Sequence, residues 1–168
     1  MRKQRITKKQ YNSKRCLVCG LGNDFGLKAA FYELDSGELL AIFTPKDEHQ
    51  SYPGRLHGGN TSTILDETIG RAIMINHPGQ FGVTVEIALR FKKPVPTDQE
   101  LRVVARITRD TSRFFEGTGE LLLPDGTVAV AGKGRYLMMD LEKIADFDHD
   151  EQDWRVVAGA NDPEFVEI

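Results

Sequence analysis

The chemistry of this 168-residue chain concentrates in RLHGGNTSTILDETIGRAI, Arg55 to Ile73. A histidine and two glycines precede what reads as a helix, and two adjacent acids, Asp66 and Glu67, lie inside it. A helix N-terminus presents unpaired backbone N–H groups and a partial positive charge, and glycine lets a ligand come close to them. Gly58 and Gly59 are therefore candidates for an oxyanion hole around a carbonyl that gains negative charge, with simple anion binding as the alternative. His57 could transfer protons by its residue type. The preferred reading is a loop residue at the start of the helix that satisfies backbone groups.

Successive helical positions 100° apart place Leu65, Ile69, Ala72 and Ile73 in one apolar sector, which Ile64 and Ile75 extend. Asp66 falls at its edge, where a carboxylate would be partly desolvated, and so is a candidate catalytic acid or base. Its competing reading is a capping box in which Thr63 starts the helix and Asp66 caps back. Glu67 lies on the other side, four residues before Arg71, in the favourable order for a surface helix pair. A Glu67→Gln change is thus expected to matter little. Gly70 follows Asp66 by one turn, and because an interior helix glycine costs roughly 1 kcal/mol relative to alanine, something beside Asp66 is expected to need that space.

Gly58 and Asp66 are eight residues apart, so on one helix they are separated by roughly 12 Å, too far to act on one carbonyl. Two antiparallel copies could set Gly58 of one beside Asp66 of the other, which requires a symmetric homodimer.

The elements that must hold these residues follow from periodicity. Residues 27–34 and 38–44 read as strands around the turn DSG, residues 45–59 as loop, and residues 60–75 as the helix. In GVTVEIALRF the period switches to two, with Val83, Val85, Ile87, Leu89 and Phe91 expected on one buried face and Thr84 among the alternates. Leu101, Val103, Ala105 and Ile107 repeat the pattern, and PDG joins two further strands as a hairpin. With no helices between them, these strands should be antiparallel neighbours. The fold class is α+β, an antiparallel sheet around a central helix. A short helix is expected over residues 141–147.

Three segments are expected: a basic, mobile arm at 1–15, a folded domain at 16–140 and an acidic tail at 141–168. The arm holds seven bases and no acid, which leaves the remaining chain 15 bases against 25 acids. A net charge of −3 and an arm with few aromatics argue against a nucleic-acid binder. The absence of a long apolar run argues against a membrane span or signal peptide, and the expectation is a cytoplasmic protein. Cys16 and Cys19 have zinc-knuckle spacing but stand as one pair, two ligands short of a structural zinc site, so no metal or other cofactor is expected. Asp146, Asp148 and Asp150 suggest a calcium loop, but Glu151 stands where glycine is needed and Val157 where an acid is needed.

HGGNTSTILDETIG, preceded by EHQSYPG and followed by VTVEIALRFKKPVPTDQELRVVARI, resembles the hotdog-fold thioesterases of the PaaI-like branch. The resemblance spans about residues 16–138 and includes the CLVCGLGNDFGL lead-in. It implies a helix wrapped by an antiparallel sheet, a dimer or dimer of dimers, and hydrolysis of acyl-coenzyme A thioesters. By position it implies Asp66 as catalytic base or nucleophile, Gly58 as the amide that polarises the carbonyl, and Thr84 as a hydroxyl beside the attacking water. An Asn or Gln that also bonds the carbonyl in related enzymes is replaced by Ser51, with Gln50 adjacent. Arg90, Lys92 and Lys93 are candidates for the coenzyme phosphates, or ordinary solvated strand charges. A non-catalytic acyl-CoA binding or sensing module is the alternative function.

Overall fold

A computed structural model describes residues 2–145, 154–160 and 162–168. Its eight strands form one sheet: β1 Lys3–Lys9, β2 Ala30–Leu34, β3 Leu39–Phe43, β4 Gln80–Phe91, β5 Leu101–Asp110, β6 Phe114–Leu122, β7 Val128–Asp140 and β8 Phe165–Glu167. The order is β4-β7-β6-β5-β3-β2-β1-β8, with every pairing antiparallel. Helix α1, Gly58–Arg71, packs across strands β3 to β7 and continues through Ala72 into a single turn, α2, Ile73–Asn76. The last described helical turn is α3, Leu141–Ile144. No helix among the described residues is long and apolar enough to cross a membrane.

The apolar sector read from the sequence is the buried one. Ile64, Leu65, Ile69, Ala72 and Ile73 pack on Phe31, Leu39, Val103, Phe115, Leu121 and Val130 from the sheet. The DSG and PDG turns form as hairpins, with Gly37 at φ 78° and Gly126 at φ 80°, backbone values that glycine adopts without steric cost. The calcium-loop residues at 146, 148, 150 and 151 lie outside the described residues.

The basic arm departs from expectation. Residues 3–9 form β1, which pairs with β2 on one side and β8 on the other. Ile6 joins Tyr32, Leu34, Leu40, Val104 and Val166 in a second apolar cluster. The basic side chains meet acids: Lys8 pairs with Glu33 at 3.4 Å, Lys9 with Asp162 at 2.7 Å, and Arg2 with Glu38. Hydropathy periodicity missed this strand because only its alternate positions Gln4 and Ile6 turn inward and one of them is polar.

Strand β4 also departs from uniform alternation. Between Thr84 and Glu86 the register with β7 shifts, so that Val85 is the extra residue of a β-bulge. The bulge reverses the facing of the strand. Thr84 points at α1 on one side of it, Ile87 and Leu89 are half-buried beyond it, and Val85 is left 56% exposed.

Candidate active site

Helix α1 starts at Gly58 because His57 caps it, its Nδ1 accepting from the Gly59 amide at 2.8 Å. The capping box expected from Thr63 and Asp66 does not form, since Thr63 lies inside the helix and its hydroxyl donates to the Gly59 carbonyl. His57 thus keeps its expected place at the helix start. The Gly59 amide is occupied by that cap, which leaves Gly58, the first helical residue and exposed, as the amide open to a ligand. The Cβ position of Gly58 lies 3.8 Å from the Phe91 ring.

His49 anchors this helix end from behind. It is buried, its Nδ1 accepts from the Lys46 amide at 2.9 Å and its Nε2 lies 3.0 Å from the Phe25 carbonyl. Its own carbonyl accepts from the His57 amide and the Asn60 side chain. Gln50 and Ser51 sit on the same exposed loop: Gln50 accepts from the Gly54 amide at 3.1 Å and the Ser51 amide donates to the Arg55 carbonyl. Both serve the turn beside Gly58 here.

Asp66, half-buried, is held from two strands. Thr84 Oγ1 lies 2.9 Å from Oδ1 and 3.1 Å from Oδ2, and the Tyr136 hydroxyl donates to Oδ1 at 3.1 Å and to the Asp66 carbonyl at 3.2 Å. Thr84 and Tyr136 are direct partners across the β4–β7 ladder, so a single register step delivers both donors. Burial, and then the Asp66 charge beside it, push the Tyr136 phenol far above the ordinary tyrosine range, which keeps it a donor. Oδ1 is doubly engaged, and Oδ2 retains spare acceptor capacity.

The space that Gly70 was expected to leave is taken by Tyr136. A Cβ at Gly70 would stand 3.3 Å from the Tyr136 ring, and one at Gly134 would stand 2.5 Å from it. The ring slides past both backbones and stacks on Phe115, centroids 4.9 Å apart and planes within 9°. Tyr136 escaped the sequence reading because its partner lies 70 residues away and only strand register joins them.

A cavity of about 210 Å³ opens beside Asp66, lined by Gly70, Thr84, Tyr136, Phe81, Ile144 and Trp154 among others. Arg90, Lys92 and Lys93 are exposed on β4 and just past its end, near the strand end that carries Phe91 and adjoins Gly58.

Glu67 does not stand on the surface. It accepts from Arg71 Nε at 2.7 Å, and Arg71 is 6% exposed, its guanidinium 4.4 Å above the Phe31 ring. The pair is a partly buried anchor to the N-terminal lead-in.

The family described as the thioesterase superfamily matches residues 53–130, the segment that holds Gly58, Asp66 and Thr84. Acyl-coenzyme A thioesterase 13 of Mus musculus is 28% identical over 72 residues, 43% of this chain and 51% of that one. The E. coli PaaI structure shares 15% identity at a TM-score of 0.61, covering 67% of this chain and 80% of that one. The BH2602 protein of Bacillus halodurans, solved with CoA, shares 25% identity at a TM-score of 0.55, covering 59% and 70%. The chain spans about half the length of the curated relatives it matches. With its long helix packed on an antiparallel sheet, the chain has the hotdog fold of these structures, and its residues 53–130 match the thioesterase superfamily.

Proposed function

We propose that this protein hydrolyses acyl-CoA thioesters in a site shared between two protomers. The observation that carries the reading is the carboxylate of Asp66, oriented by Thr84 and Tyr136 at the mouth of a cavity partly lined by apolar side chains. Asp66 Oδ2 would take a proton from water attacking the thioester carbonyl, or attack that carbonyl itself; both use the same orientation. The Gly58 amide, at the positive end of α1, would stabilise the oxyanion. Phe81, Met74, Ile144 and Trp154 would receive the acyl group, and Arg90, Lys92 and Lys93 the coenzyme phosphates.

The length of α1 keeps Gly58 and Asp66 of one chain apart, so the proposal requires a homodimer. Strand β4 supports it: it is an edge strand of twelve residues, with Val85 56% and Phe91 53% exposed. Antiparallel pairing of two β4 strands about a dyad at Ala88 would bring Phe91, and hence Gly58, of one protomer opposite Val85, next to Thr84, of the other.

The test is Asp66→Asn. Hydrolysis of short, long and aromatic acyl-CoA substrates, followed by thiol release, should fall by about a thousandfold, with the fold and oligomeric state retained. Turnover near that of the unaltered protein would refute the mechanism. Tight binding of unhydrolysed thioester by the unaltered protein would instead identify a binding module.

A further inference from the structure

We propose that Cys16 and Cys19 form a dithiol–disulfide redox site that exchanges with low-molecular-weight disulfides. The two sulfurs and a Glu67 carboxylate oxygen lie within 4.8 Å of one another, beside the Glu67–Arg71 pair of α1. The turn that carries them is built around sulfur. Cys16 Sγ accepts from the Val18 amide at 3.3 Å and the Cys19 amide at 3.5 Å, and Cys19 Sγ accepts from Arg71 Nη2 at 3.1 Å. Ser13 Oγ stands 3.5 Å from Cys19 Sγ, and Asn12 holds the Cys19 carbonyl at 2.9 Å.

These contacts suit one negative charge shared by two sulfurs. The thiol of Cys16 donating to Cys19, aided by the Arg71 guanidinium, draws the Cys19 thiol down to about 6, while that same bond and burial drive Cys16 up. Cys19 is fully buried and Cys16 only half-buried, so Cys16 is the sulfur that a reagent meets.

A metal fits the cluster less well. Among the described residues it offers three donors, Cys16, Cys19 and Glu67. Arg71 bonds two of them, Cys19 at 3.1 Å and Glu67 at 2.7 Å, and so sets a fixed positive charge where a cation would have to sit.

The exchange balances. As Cys16 attacks one sulfur of RSSR its proton passes to Cys19, the S–S bond of the reagent breaks, and RS⁻ leaves to be protonated by solvent. Cys19 then gives its proton to the neighbouring Glu67 carboxylate and attacks Cys16 sulfur, expelling the second RS⁻, which takes up the proton. The protein dithiol is oxidised to a disulfide, and one RSSR is reduced to two RSH.

Intact-mass spectrometry of the full chain, equilibrated with reduced and oxidised glutathione and then alkylated, reads this out. The expected result under oxidising conditions is loss of two hydrogens and of both alkylation sites, with a linked Cys16–Cys19 peptide after digestion. Cys19→Ser should accumulate the glutathione mixed disulfide on Cys16, whereas Cys16→Ser should leave Cys19 largely unreacted. Two alkylated thiols persisting in the most oxidising buffer would overturn the proposal. So would stoichiometric zinc in the purified protein that is lost in Cys16→Ser. Neither readout depends on thioester hydrolysis.

Discussion

At the scale of single residues, Asp66 is distinguished from its neighbour Glu67 by what faces it. Thr84 and Tyr136 converge on Asp66, whereas Glu67 is bound to Arg71. Tyr136→Phe removes one hydrogen bond to a charged carboxylate and keeps the stack on Phe115. Such a bond contributes about 1.5–3 kcal/mol, so stability should fall by no more than that amount, while kcat, which depends on the orientation of Asp66, should fall by about ten- to a hundredfold; an unchanged kcat would remove Tyr136 from the site. Glu67→Gln should do the reverse. It removes the charge that pairs with a buried guanidinium, leaving only an amide oxygen to accept from it, and should cost about 1–3 kcal/mol of stability in chemical denaturation, while kcat stays close to that of the unaltered protein. The sequence distinguished the two acids by helical angle, and that angle is right. It could not show the burial of Arg71, because Phe31, the Tyr11 carbonyl and Cys19 reach it from the distant lead-in.

At the scale of elements, two local irregularities build the site, and the sequence showed one of them. Glycine at position 70 was legible as unexplained space, because an alanine there would be better helix. The bulge at Val85 was not, since VTVEIAL reads as unbroken alternation and only pairing with β7 exposes the extra residue. The long amphipathic helix and the DSG and PDG hairpins were legible because their signals are local in the chain. Strand β1 depends on partners 23 or more residues away, such as Tyr32, Leu34 and Val166, and its signal is not local. Gly70→Ala separates propensity from function. The helix gains up to about 1 kcal/mol, offset by a Cβ set 3.3 Å from the Tyr136 ring. Denaturation should move by less than about 1 kcal/mol, but kcat should drop by about tenfold as the ring and its hydroxyl are displaced from Asp66. A large loss of stability with unchanged specific activity would mean that Gly70 serves packing alone.

At the scale of the whole molecule, the proposal stands on donation between protomers, and subunit mixing tests that directly. Asp66→Asn removes the carboxylate. Gly58→Pro removes the amide donor at the first helical position, where proline is tolerated because its φ suits the helix and no ladder bond is lost. His57 before it has φ −62° and ψ 138°, the extended conformation that a residue preceding proline requires. Each variant alone should be nearly inactive. Unfolded together and refolded at equal amounts, half of the dimers would pair the two variants. In these, one site combines Asp66 from the Gly58→Pro chain with Gly58 from the Asp66→Asn chain, and the other site has neither group. Activity should therefore return to about a quarter of that of the unaltered protein. Recovery cannot occur if each site is completed within one chain, because no protomer in the mixture carries both groups. A refolded dimer that stays inactive would thus count against the shared site while leaving the Asp66 assignment to be judged by its own variant.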